Sequence, residues 1–181
     1  MFKQKLQSIF LITLVCLSPL CAKKHSREKV GQIIQITIPV TGLLIAFGKD
    51  DTEGMKQLFY SVAASTAATW ALKLTVRKKR PGSSKNRHSF PSGDTSLAFS
   101  GASFLGMRYG VAYGAPGLAA ASYVGYSRVQ AKRHDWADVI CGGVIGGLSG
   151  FLFTTPQPEK KQEKSTEVPE LKGVSGLATQ K

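Results

Sequence analysis

The sequence predicts an all-α fold, a polytopic helical membrane bundle of about five to six spans. Three observations predict it. Six runs of about 13–20 residues carry no charge, at positions 6–22, 30–48, 57–72, 95–107, 109–127 and 139–158, near the roughly 20 residues a helix needs to cross a bilayer. These runs are rich in Gly, Ala, Ser and Thr, which suits helices packed against one another in lipid. The apolar/polar alternation between regularly spaced turns that marks strands is absent. A mean hydropathy of −0.04 averages these runs with the charged segments between them, so it describes neither.

Taken in order, the first run follows Lys3 and Lys5 and turns strongly apolar through Ile12, Leu14, Val15 and Leu17. Leu20-Cys21-Ala22 forms a loose small-residue cleavage site, so residues 1–22 are expected to be a signal peptide or a first transmembrane helix. Either directs the chain to export. Lipoprotein processing at Cys21 fits poorly after Pro19-Leu20, and three Cys without recurrent spacing exclude a disulfide scaffold. The second run, VGQIIQITIPVTGLLIAFG, and the third, QLFYSVAASTAATWAL, each read as a helix. The fourth starts after Pro91-Ser92-Gly93, where Ser92 is a good N-cap. The fifth ends at Ser127. In the sixth, Gly142, Gly146 and Gly150 recur every four residues beside Gly143 and Gly147. In water each glycine would weaken a helix by about 1 kcal/mol relative to Ala, whereas in a bilayer such a stripe lets backbones approach closely. The alternative is a buried core helix of a soluble all-α domain. Residues 23–156 therefore read as one helical domain without internal repeats, and 157–181 as a flexible polar tail.

The charge balance points to an anionic partner. The chain carries 24 Lys+Arg against 11 Asp+Glu, a net charge of +13. Seven of the cations, Lys73, Arg77, Lys78, Lys79, Arg80, Lys85 and Arg87, fall between positions 73 and 87 with no acid among them. Hydrophobic flanks and the lack of a binding motif argue against nucleic acid. A cytoplasmic positive-inside loop and a phosphate site remain. With Lys3 and Lys5 inside, strict alternation places this loop outside, against the charge rule, which suits cations with a chemical task.

Two groups of residues carry that chemistry. Ser92 and Gly93 open a helix whose first-turn N–H groups and dipole favour an anion. Arg128 offers a planar fork suited to phosphate oxygens. His134 and Asp138 are spaced i,i+4, so on a helix they share a face, and the carboxylate would fix the imidazole tautomer. The competing reading is a surface His near a helix start.

Together these residues resemble the three-part signature of the type 2 phosphatidic acid phosphatase superfamily, which includes bacterial acid phosphatases and vanadium haloperoxidases; the membrane character points to its lipid phosphatase branch. Lys73 and Arg80-Pro81 match the first part, and Ser127, Arg128, His134 and Asp138 match the third. Pro91, Ser92 and Gly93 match the second, which carries Asp94 where the family has His. The resemblance implies that His134 is the nucleophile that becomes a phosphohistidine, oriented by Asp138. It implies that Lys73, Arg80, Arg128, Ser92 and the Gly93 N–H hold the phosphate, with no metal and no cofactor. Asp94 would stand at the general-acid position, although a carboxylate is ordinarily ionised near neutral pH. It keeps an acid role through burial, yields it to His88, or serves a leaving group that needs little protonation, such as a lipid diphosphate.

The resulting expectation is a hydrolase of the bacterial inner membrane, its site facing the periplasm or outside, acting on a lipid phosphate or diphosphate. Isoprenoid diphosphate, phosphatidylglycerol phosphate, phosphatidic acid and a phosphate of lipid A are the candidate substrates. A soluble exported acid phosphatase and a catalytically impaired phospholipid-binding homologue are the alternatives.

Overall fold

The computed structural model describes residues 24–82 and 85–158, and every regular element among them is a helix. Five follow in order: α1 (Lys24–Gly48), α2 (Thr52–Val76), α3 (Gly93–Tyr109), α4 (Val111–Gln130) and α5 (Trp136–Phe153). The five uncharged runs from residue 30 onward fall one on each helix. The first run, with its signal-or-span expectation, and the tail beyond residue 158 lie outside the described residues.

The helix ends have local causes. Asp51 caps α2 by accepting from Gly54 N at 2.9 Å. Ser92 caps α3 by accepting from Thr95 N, as its sequence position predicts. Gly110, at φ 89°, separates α3 from α4 in a conformation that a Cβ resists. Asp135 and Asp138 form a capping box at the start of α5, each carboxylate accepting from the other's backbone N–H.

Helix α3 is the centre of the bundle and packs against the other four. Ala98, Ala102 and Phe104 on it are wholly buried. Much of the rest of the interior is small and polar. Ser61, Ser65 and Thr69 of α2 are buried, and Thr69 Oγ1 donates to Ser96 Oγ of α3 at 3.0 Å. Apolar side chains face outward instead. Ile33, Ile36, Leu44 and Phe47 of α1 and Ile140, Val144, Leu148 and Leu152 of α5 are each more than half exposed. In water so much apolar surface marks an interaction site or an aggregation liability, whereas in lipid it is solvated. Two segments, Arg27–Gly48 and Trp136–Phe153, are long and apolar enough to cross a bilayer. With its apolar faces turned outward, the fold is a membrane helical bundle.

The glycine stripe of α5 sets its distance from α3. A Cβ on Gly142 would strike the Ser92 carbonyl oxygen, and one on Gly146 the Ser96 carbonyl oxygen. Neither backbone atom can swing aside. Gly146→Leu is therefore expected to destabilise the bundle by about 1–3 kcal/mol or more, read as a lower unfolding midpoint in detergent. Gly147→Ala is the control, because a Cβ there meets open space.

Where α2 and α4 begin and α3 and α5 end, a buried polar clamp ties the helices together. Arg108 grips Asp51 through both carboxylate oxygens, at 2.8 and 2.5 Å, and Tyr109 Oη donates to the same carboxylate at 2.9 Å. The second arm of the guanidinium donates to Thr155 O at 2.9 Å. Gln57 exchanges two hydrogen bonds with Thr155, at 2.9 and 3.1 Å.

Candidate active site

The charged residues of interest gather at the opposite end, where α2 and α4 finish and α3 and α5 start. The basic loop after α2 folds back on itself, Ser89 N donating to Lys78 O and Arg80 N to Asn86 O, each at 3.0 Å. Lys73, in the last turn of α2, is buried beneath this loop and donates to His88 O at 3.0 Å and Pro91 O at 2.5 Å. Gly93 lies directly over it, since a Cβ there would sit 3.7 Å from Lys73 Cε. The first turn of α3 is thus seated on the lysine, and its amide donors come close to a cation.

Asp138, in the first turn of α5, is wholly buried. Its carboxylate accepts from Lys78 Nζ at 2.8 Å, from Ser89 Oγ and from Asp135 N at 3.2 Å. Its carbonyl accepts from Ser92 N at 2.9 Å, which docks α3 on α5. A burial this deep is tolerable for a carboxylate only with such a set of donors. His134 is 3% exposed, and its Nδ1 lies 3.5 Å from Asp138 Oδ2 with no hydrogen-bond partner. Burial holds the His134 imidazole below the usual histidine range; Arg80 and Lys73 add to this, and Asp94 and Asp138 oppose it. The shift favours the neutral ring, the form in which a ring nitrogen can attack.

The expectation that His134 and Asp138 share a helix face is corrected here. Asp135 takes the N-cap, so the helix starts at Trp136 and His134 lies outside it. The two side chains meet because the residue before the cap folds over the first turn. Arg128, 2% exposed, donates to Glu28 O of α1 at 2.6 Å and stands 3.4 Å from Asp94 Oδ2. Arg80 carries a buried Nε without a hydrogen-bond partner. All eight residues singled out from the sequence, Lys73, Arg80, Ser92, Gly93, Asp94, Arg128, His134 and Asp138, thus converge on one end of the bundle. His88, the alternative proton donor, does not join them. Its ring is exposed and tilts against Trp70, with centroids 6.5 Å apart.

Several contributors escaped the sequence reading. Lys78 and Ser89 hold Asp138 but were indistinguishable from their neighbours in a basic, polar loop. Glu28, whose carbonyl anchors Arg128 and whose side chain pairs with Arg133 at 2.9 Å, is about 100 residues away in sequence. Asp135 did carry a signal, since Asp-Trp-Ala-Asp before an apolar run has the spacing of a capping box.

The profile of the PAP2 superfamily matches residues 54–162, a span that holds all eight residues. The chain belongs to the PAP2 superfamily. Over 68 residues it is 40% identical to a lipid A 1-phosphatase of Porphyromonas gingivalis, a match covering 36% of this chain and 15% of that protein. It is 27% identical over 174 residues, 87% of each chain, to a lipid A 4′-phosphatase of Helicobacter pylori. The crystal structure of Aquifex aeolicus LpxE superposes with a TM-score of 0.58 at 24% identity, covering 82% of this chain and 93% of that one. That likeness is one of fold: the helical arrangement is shared over most of both chains.

Proposed function

We propose that this PAP2 protein is a metal-independent phosphatase that removes a phosphate from a membrane lipid of the lipid A class, with a phosphohistidine intermediate. The observation that carries the proposal is the buried His134 set against Asp138 and among Lys73, Arg80 and Arg128. The two relatives named as lipid A phosphatases favour that lipid among the candidates. An apolar groove of about 430 Å³ beside the site, lined by Phe99, Tyr126, Trp136 and Val144 among others, offers acyl chains a path along α4 and α5.

In the proposed reaction, the Asp138 carboxylate, 3.5 Å from Nδ1, orients the imidazole, and the other nitrogen, Nε2, attacks phosphorus. The bond from phosphorus to the lipid oxygen breaks as the P–N bond forms, and the leaving oxygen takes its proton from Asp94, which enters the step as the protonated acid and leaves it as the carboxylate. Water then attacks the phosphohistidine and gives a proton to the Asp94 carboxylate, and the P–N bond breaks to release phosphate. Lys73, Arg80 and Arg128, with Ser92 and the Gly93 N–H, stabilise the charge on the transferred group throughout. The lipid headgroup and this site are assigned to the periplasmic face of the bacterial inner membrane, on the alternation of spans.

Phosphate release from a panel of lipids in detergent tests this reading: lipid A, phosphatidic acid, phosphatidylglycerol phosphate and an isoprenoid diphosphate, with His134→Ala as control. Release from lipid A is expected. Turnover of small soluble esters alone would establish the acid phosphatase reading, and no release from any would establish a binding protein. Asp94→Asn is expected to lower kcat by about 10²-fold, the loss of a general acid. An unchanged rate would free Asp94 of that role. The depressed His134 range also makes a pH prediction. Neutral His134 persists to lower pH than a free imidazole, so the acid limb of kcat/KM should fall below the ordinary histidine value of about 6.5. Arg80→Gln removes a cation that favours the neutral ring, and should move that limb upward.

A further inference from the structure

The seven cations of the basic loop do not form one cluster. Lys73 and Lys78 turn inward and donate to Pro91 O and Asp138, and Arg80 carries a buried Nε. Arg77, Lys85 and Arg87 instead line a separate open cleft of about 510 Å³, together with Asn86 and His88. The backbone explains the division. Arg77 ends α2 in the left-handed region, at φ 49°, which turns the chain away from the helix axis. The fold-back pairing then carries residues 85–88 around to face it. Among the described residues none of these three cations makes an ion pair with an acid, in contrast to Lys78, Arg108, Arg128 and Arg133. Three like charges sharing one opening repel one another, and an anion between them removes that cost.

We propose that this cleft binds a second phosphate, the non-reacting one of a bis-phosphorylated lipid headgroup, while the first lies at His134. The inference deepens the lipid A reading and rests on it. The two relatives are named for different phosphate positions, 1 and 4′, of one lipid. A headgroup with phosphates at two positions needs a second cationic surface beside the first, and the cleft adjoins it. His88 lines the cleft, and its carbonyl accepts from the buried Lys73 Nζ at 3.0 Å. One loop therefore joins the two anion sites through His88, whose carbonyl binds Lys73 while the residue lines the cleft.

The test compares the wild type with Arg77→Gln/Lys85→Gln/Arg87→Gln in neutral detergent. The substrates are a bis-phosphorylated lipid A and its mono-phosphorylated counterpart with the same acyl chains. All three positions are exposed, so folding should be untouched, which the unfolding midpoint checks. For the bis-phosphorylated lipid, KM should rise about tenfold with kcat unchanged, the sum of three exposed charge–phosphate contacts. For the mono-phosphorylated lipid neither should change. Equal losses on both lipids, or no loss on either, would overturn the proposal. Micelles doped with phosphatidylglycerol separate a bilayer headgroup from the substrate's own phosphate. If the dopant stimulates only the wild type on the mono-phosphorylated lipid, the cleft reads bilayer charge, and the substrate assignment falls. Binding of the bis-phosphorylated lipid in a His134→Ala background keeps the two readings apart. Weaker binding by the triple variant supports the cleft even if the wild type releases no phosphate, whereas equal binding removes it.

Discussion

His134→Ala is expected to abolish phosphate release, with a loss of at least about 10³-fold in kcat and an intact fold. The size follows from its proposed place as the atom that bonds to phosphorus, because removing a nucleophile leaves only what the binding groups do by themselves. The intact fold follows from the geometry. Nδ1 makes no hydrogen bond, so truncation breaks none of the contacts that hold Asp138 to Lys78, Ser89 and Ser92. Asp138→Asn should behave differently. It disturbs the loop as well as the imidazole, and its loss of activity should come with a lower unfolding midpoint. Imidazole added to the His134→Ala protein should restore part of the rate, since the cationic cradle remains. A variant that keeps wild-type turnover would remove His134 from the reaction.

The largest stability effect is expected at the other end of the bundle. Arg108→Leu strips the buried Asp51 carboxylate of a bidentate partner and frees the Thr155 carbonyl. The cost should be about 3–5 kcal/mol, the penalty for leaving a buried charge without its counter-ion. Asp51→Asn on top of Arg108→Leu should recover part of that loss, because no bare carboxylate then remains. The recovery, measured as unfolding midpoints of the singles and the double, separates charge from packing. Acid gives an independent check. Hydrogen bonding from Arg108 holds the Asp51 carboxyl at about 2, against 3.8 for a free group. A group depressed on folding contributes its full stability above the unfolded value. That contribution should fade as pH drops from about 4 toward about 2, and the Arg108→Leu protein should lack this dependence.

The helices were legible because lipid and water impose opposite patterns on a chain. Stretches without charge mark the segments, and Ser92 marks where α3 starts. The stripe Gly142, Gly146 and Gly150 was readable as a packing face, and its neighbour turned out to be α3. The site was legible through spacing, because Lys73, Arg80, Ser92, Gly93, Arg128, His134 and Asp138 stand at fixed intervals that the resemblance supplied. Sidedness within the basic loop was not legible. Seven cations in fifteen positions share one composition, and only the fold-back pairing between Lys78 and Ser89 decides which turn toward Asp138 and which toward open solvent. The anchoring of Arg128 was hidden for another reason. It rests on a main-chain oxygen, Glu28 O, and every residue offers one of those.

The placement of α3 has a consequence for how the protein is made. It is enclosed by the other four helices, with serine and threonine facing it, and it is not among the segments able to cross a bilayer by length and composition. Its polar stripe gains partners only after α2 and α5 stand beside it. Since Ser92 meets Asp138 only at that moment, the cradle is complete only once α5 is in place. A chain released before α5 is in place would hold the cations of its basic loop without the carboxylate that organises them. Activity in a growing cell would then report completed insertion and assembly, not synthesis.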